Sequence, residues 1–331
     1  MYSIAGLVLI ATVLGASTPT ANEILAQVRT AQSWHDQVRM KVHCFGTDDA
    51  RGRTDDFNCQ YANRGTDTMY VGSRVMREAS GEIWESVDPI YDVKTREFKV
   101  SAQKAKSWAR AEGTIYSDPY PPYWQGAETG APAWGYLTVL DNKHICDVLS
   151  EAEDLSVSPE PVEINQERCL VISGTTKYGQ VKVAVSPEKD YCPVQYHVRG
   201  PLTDRSRRPD EGEQDTWVNL GEFKSIDGRW VPTKVSKRLV TPTAEGALRT
   251  LSWEVDFRDI DLHPVFDAVD FTLGILPDGM ILNDGKVHEI KYIIKERPTH
   301  ARNRRPVCAV NGPSDERGGK AIQWRRISTA A

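Results

Sequence analysis

At 331 residues the chain has room for one large β domain or two smaller ones. Its 40% apolar content supplies a core, and a formal charge of −5 argues against a dedicated nucleic-acid binder. The charge is uneven: Pro298 to Ala331 holds seven basic residues against Asp315 and Glu316, which leaves the remainder about ten charges negative.

The chain opens with "MYSIAGLVLIATVLGASTPTAN". Ser3 to Ser17 is uncharged and mostly apolar, short for a membrane span and the right length for the apolar region of a secretory signal. Gly15-Ala16-Ser17 offers small residues for cleavage, although no Lys or Arg precedes the run. Residues 1–17 are therefore expected to be a signal peptide, which places the protein in the periplasm or cell envelope. Membrane contact is expected to be peripheral at most.

Next, "NEILAQVRTAQSW" spaces Ile24, Leu25, Val28 and Ala31 on one helical face, with Thr20 or Asn22 as the cap. "QVRMKVHCF" then alternates: Val38, Met40, Val42 and Cys44 against Arg39, Lys41 and His43. That is the period of a half-buried strand. Short strand-like units continue through "DTMYVGS" and "EFKVS". Two helical intervals follow, "SAQKAKSWARAEG" with Trp108 on its stripe and "HICDVLSEAED" with Leu149 on its stripe. Between them, "TIYSDPYPPYWQGAETGAPAWGYL" has too many prolines for regular structure. "RCLVISGT", "QVKVAVS" and "YCPVQYHV" read as an antiparallel meander. Its apolar face is expected to collect Val171, Val181, Val183, Val185, Val194, Tyr196 and Val198. "GEFKSIDGRWVPTKV" is a hairpin turning at Asp227-Gly228, and Pro232 belongs at an edge or bulge. "LSWEVDFRDI" puts Trp253, Val255 and Phe257 on one face. The tail, 297–331, is basic and without periodicity, and reads as disordered.

The six cysteines make no C-x-x-C pair, so no zinc site is expected. Cys44 and Cys59 stand at similar heights on two arms of one hairpin, and a disulfide between them is expected in an exported protein. Motifs of serine hydrolases, zinc proteases, P-loops and dinucleotide sites are absent. The pairs Asp48-Asp49 and Asp55-Asp56 read as solvated turn residues, and His144 as a surface helix start. No catalytic residue, metal or cofactor is expected.

Three segments carry a family resemblance. "ILAQVRTAQSWHDQVRMKV", "EINQERCLVISGTTKYGQVKVAVSPEKDYCPVQYHV" and "GEFKSIDGRWVPTKV" are similar to the opening helix and strand, the central meander and the late hairpin of the LolA/LolB lipoprotein-carrier superfamily. The resemblance spans roughly 22–296. It implies a mainly β (α+β) fold: a strongly curved antiparallel sheet, or incomplete β-barrel, with a few lid helices. It also implies binding of a lipid or a lipidated protein, without catalysis. The expected cavity wall comprises Val38, Met40, Val42, Met69, Val71, Val171, Val181, Val183, Val194, Tyr196, Trp253, Val255 and Phe257. The expected mouth and lid are Trp108, Tyr123, Trp124 and Leu149. Two other readings stay open: an envelope interaction or sensor module with a solid core, and a hydrolase whose site has no known motif.

Overall fold

The computed structural model describes residues 19–65, 67–94, 98–105, 112–117, 144–201, 212–243, 245–267, 271, 281–284 and 290–293. The expected signal segment, the tail and the aromatic stretch with Tyr123 and Trp124 lie outside them.

The first element is α1 (Ala21–Gln32), and Thr20 is its cap. The Thr20 hydroxyl accepts from the Glu23 amide, and the Glu23 carboxylate accepts from the Thr20 amide at 2.7 Å. This reciprocal box satisfies two amides that the first helical turn leaves open. Ile24, Leu25 and Val28 are buried along one face, as their spacing requires. Thr20→Ala should lower stability by about 1 kcal/mol. A thermal melt would register this as a fall of a few degrees, and an unchanged midpoint would mean the cap is idle.

Strands follow as β1 (Gln37–Asp48), β2 (Arg53–Arg64), β3 (Asp67–Arg77), β4 (Ile83–Lys94), β5 (Phe98–Ala105) and β6 (Glu112–Ser117). After α2 (Ile145–Ser150) come β7 (Ser156–Val157), β8 (Val162–Ile164), β9 (Glu167–Thr176), β10 (Gly179–Ser186) and β11 (Cys192–Pro201). The last are β12 (Glu213–Ile226), β13 (Arg229–Pro242), β14 (Leu248–Asp261), β15 (Ile281–Asp284) and β16 (Ile290–Ile293). They form one sheet in the order β16-β15-β6-β5-β4-β3-β2-β1-β14-β13-β12-β11-β10-β9-β7, with β8 also on β9. The ladder is antiparallel except where β15 meets β6. The first and last strands of this order do not pair, so the sheet stays open.

The sheet is strongly curved. Asn63 of β2 donates to the carbonyl of His35, and Gln32 donates to the Tyr196 hydroxyl of β11. Five interstrand steps separate β2 from β11, about 24 Å if flat. Positions three residues apart in the chain reach both strands, so the sheet must curl around α1. One buried cluster accordingly joins α1, α2 and strands from β4 to β9.

The hairpin of β12 and β13 turns at Asp227-Gly228, both with positive φ (51° and 75°). Gly228 meets this requirement without strain. Pro232 pairs only toward β12, because the ladder with β14 begins at Lys234. Its missing N–H therefore breaks no rung on that side.

The expected helix over 101–112 is strand at both described ends, 101–105 and 112, while 106–111 lie outside the described residues. Ser101 to Ala105 belong to β5, which pairs with β4 on one side and β6 on the other. Ladders on both sides satisfy this backbone, and they override the helix preference of its alanines and lysines. Trp108 lies outside the described residues. Thr114 to Ser117, read as irregular, are the end of β6.

Candidate functional site: a concave face closed by two helices

Alternation along each strand sends one set of side chains to the concave side. Val183 of β10 lies between Ile172 and Tyr196. Val255 of β14 lies between Val235 and Cys44, and Phe257 pairs with Val42. Val38, Met40, Val42, Val181, Val183, Tyr196, Val255 and Phe257 are all 4% exposed or less. Ile145, Val148 and Leu149 of α2 are fully buried as well, with Leu149 in the same cluster as this face. Trp253 stands at the rim, half-buried. Its indole lies over Gly46, where an added Cβ would meet the ring at 2.9 Å. The Lys237 ammonium sits 5.1 Å from the same ring, within cation–π range.

Four expected wall residues lie on the other face. Tyr70 points inward beside Tyr61, with ring centroids 4.8 Å apart, so Met69 and Val71 oppose Ala62 and Gln60 on the convex side. In β9 the inward residue is Ile172, and Val171 faces outward opposite Ala184. Val194 falls at a bulge where the pairing shifts between Ala184 and Val185. It joins Cys169 and Ala184 in a small separate cluster. A bulge adds one residue and turns the next side chain to the opposite face.

The expected disulfide is also corrected. Cys59 pairs with Val42, and Cys44 pairs with Phe57, so the two cysteines are diagonal rather than opposed. Diagonal Cα positions are about 7–8 Å apart, beyond ordinary disulfide reach. Both are buried thiols. The acidic pairs are divided among separate partners as well. Asp48 binds Arg249, Asp49 accepts from the Thr250 amide, and Arg74 donates to Asp55 at 2.8 Å. Burial raises the Asp48 carboxyl, but its bonds to Arg249 and Arg51 outweigh this and hold it below the usual range.

Polar contacts also attach the helices. Gln32 to Tyr196 is a buried bond of 2.7 Å. Arg29 of α1 pairs with Asp147 of α2 at the surface. Between the helices, the rings of His35 and His144 stack with centroids 6.3 Å apart. His144 caps α2, its Nδ1 accepting from the Cys146 amide, but it is largely buried rather than on the surface. Burial, then the neighbouring His35 and Arg29, push its pKa down to about 4, against the opposing pull of Asp147. Burial likewise lowers His35, against the Gln32 carbonyl and Asp36. Neither ring matches a free imidazole, and the sequence shows only two scattered histidines.

The sign of the pH effect follows. Both histidines have folded pKa values below 6.5, so the unfolded chain binds protons first. The stabilisation from His144 is complete above about pH 7 and is lost as the pH falls from there through about 4, and His35 adds to it with the same sign. The His144 shift corresponds to about 3 kcal/mol. Urea midpoints measured from pH 7.5 to 4.5 should fall, and His144→Asn, which keeps a capping side chain, should flatten the slope. An equal slope in the variant would rule out this histidine as the cause.

Among the described residues no group of three or more His, Cys, Asp or Glu side chains is placed to hold a metal. Burial raises the thiols of Cys146 and Cys192 to about 12 and Cys169 to about 11, which makes them poor nucleophiles.

No family model matches the chain, and no curated protein matches it. Among solved structures it is similar to a DUF1329 family protein from Desulfovibrio piger, at 10% identity and a TM-score of 0.43, over 76% of this chain and 95% of that one. It is similar to an outer membrane lipoprotein-sorting protein domain from Vibrio parahaemolyticus, at 11% identity and 0.40, over 75% and 94%. It is also similar to the Mycobacterium tuberculosis lipoprotein LppX, at 11% identity and 0.26, over 73% and 97%.

Proposed function

We propose that this protein is a non-catalytic binding protein of the cell envelope, which takes an acyl chain or a lipidated partner on its concave face when α1 and α2 move aside. One observation carries the reading. Among the described residues, an apolar wall drawn from strands β1 to β14 is covered by two helices, of 12 and six residues. Those helices hold to each other and to the sheet largely through apolar contact, with Gln32–Tyr196 as a buried polar tie. Apolar surfaces in contact can exchange one apolar partner for another at little net cost. An acyl chain would thus replace the helix side chains against Val183, Val235 and Phe257. Export through residues 1–17 belongs to this proposal.

The full burial of the wall favours a second reading, a sealed core whose loops contact an envelope protein. Native mass spectrometry of protein from its host's envelope fraction, with lipid extraction, separates the two. The first reading expects a stoichiometric lipid or acylated peptide, and a photoactivatable acyl probe that labels α2 near Leu149. A clean apo mass with no uptake on incubation overturns it in favour of the sealed core.

A further inference from the structure

The convex face carries a feature that the concave site does not use. A groove of about 700 Å³ runs over β9, β10, β11 and β12, walled by the segment from Ser156 to Ile164. That volume lies within the range of small-ligand sites. The segment follows the edge of β9 through β7 and β8. Pro159 and Pro161 interrupt it, since neither can donate to the ladder.

The groove lining is divided along the strand direction. At one end it is mainly apolar, with Val162, Ile164, Val171 and Ala184; Gln195, opposite Ala184, donates to Asn219 at 2.7 Å, and Ser158 accepts from the Val171 amide. Val162 is 39% exposed, on a sheet face that should otherwise be polar. Beneath it lies the small cluster of Cys169, Ala184 and Val194. The next row, about 7 Å along, is polar. There Ser173, Lys182, His197 and Trp217 face outward in register across four strands. Asp215 fixes the aromatic pair: His197 Nε2 lies 2.6 Å from its carboxylate, and Trp217 Nε1 donates to it at 3.1 Å. The imidazole and indole stack at 3.7 Å and 12°. Asp215 is thus engaged with its own neighbours, and the exposed Lys182 presents its ammonium at the polar end.

We propose that this groove binds a single-chain fatty-acid carboxylate, with its tail along Val162, Ile164 and Val171 and its carboxylate at Lys182. The short apolar strip of Val162, Ile164 and Val171 has room for one chain, and the ammonium sets a negative headgroup. The site is on the opposite side of the sheet from α1 and α2, so it stands whether or not the concave face takes up lipid.

The test is calorimetric titration of the full chain with dodecanoate below its micelle concentration, beside dodecyltrimethylammonium. Lys182→Glu and Val162→Asp both alter exposed side chains, and circular dichroism checks that each variant is folded. Dodecanoate should bind at least ten-fold more weakly to either variant, and the cationic amphiphile should gain affinity for Lys182→Glu. Unchanged dodecanoate affinity in both variants overturns the proposal. A diazirine-bearing dodecanoate separates the two faces: label on 156–173 and 182–217 supports the groove. Label confined to α2 and the concave residues Val235 and Phe257 overturns it, while leaving the concave reading intact.

Discussion

Val183→Asp should lower stability by about 4 kcal/mol or more, a large part of the stability of a typical domain. Val183 has no exposed surface, and Ile172 and Tyr196 flank it on the neighbouring strands. A carboxylate there would be buried among apolar groups without a basic partner, so it must either unfold the chain or stay protonated. Val183→Ala removes only apolar contact and should cost about 2 kcal/mol. Urea denaturation of both variants gives the comparison. If Val183→Asp keeps a wild-type midpoint while acyl uptake is lost, the concave face is already an open, hydrated cavity in the resting protein. If the midpoint collapses, the face is packed, and lipid can enter only by displacing the helices.

Trp34→Ala should cost about 3–5 kcal/mol. Trp34 is 2% exposed in the turn between α1 and β1, and it meets the His35 ring edge-on at 6.1 Å. It is among the largest fully buried side chains, and it joins the lid to the first strand. Its Nε1–H is buried with no hydrogen-bond partner among the described residues. Trp34→Phe should therefore cost much less than Trp34→Ala, because it keeps most of the volume and removes an unsatisfied donor. Equal losses for the two variants would mean that the indole makes a polar contact the ring packing does not explain. A neutral Trp34→Ala would mean that the lid is not anchored here at all. In the proposed function, the alanine variant should also take up an acyl probe faster, since the lid is loosened at its root.

Strict alternation was legible wherever it occurred. In β1, Val38, Met40, Val42 and Cys44 alternate with polar residues, and all four face inward. The β14 residues Val255 and Phe257 follow the same rule. Where three apolar residues stand together, the pattern has no phase. Met69-Tyr70-Val71 and Leu170-Val171-Ile172 can face either way, and a one-residue slip exchanges the faces. Partners across the sheet decided both: Tyr70 packs at a tilt against Tyr61, and Ile172 lies beside Val183. The bulge that moves Val194 has one local mark, Pro193, which pairs with Val185 at the shift, but a proline does not say which way the next side chain turns. Cys44 and Cys59 failed as a pair for a related reason: the turn fixes the register, and the register sets them two positions out of step.

The amino-acid sequence by itself determined the local elements: the Thr20 cap with its helix, the Asp227-Gly228 turn, the alternating strands and the small α2 stripe. These depend on neighbours within a few residues, where propensity, capping and periodicity act. Only the tertiary structure decided that 101–105 is strand, that His35 and His144 meet in one buried site, and that an amphipathic groove crosses four strands on the convex side. Each of those joins residues far apart in the chain, and its free energy comes from ladder pairing and burial that no local window contains.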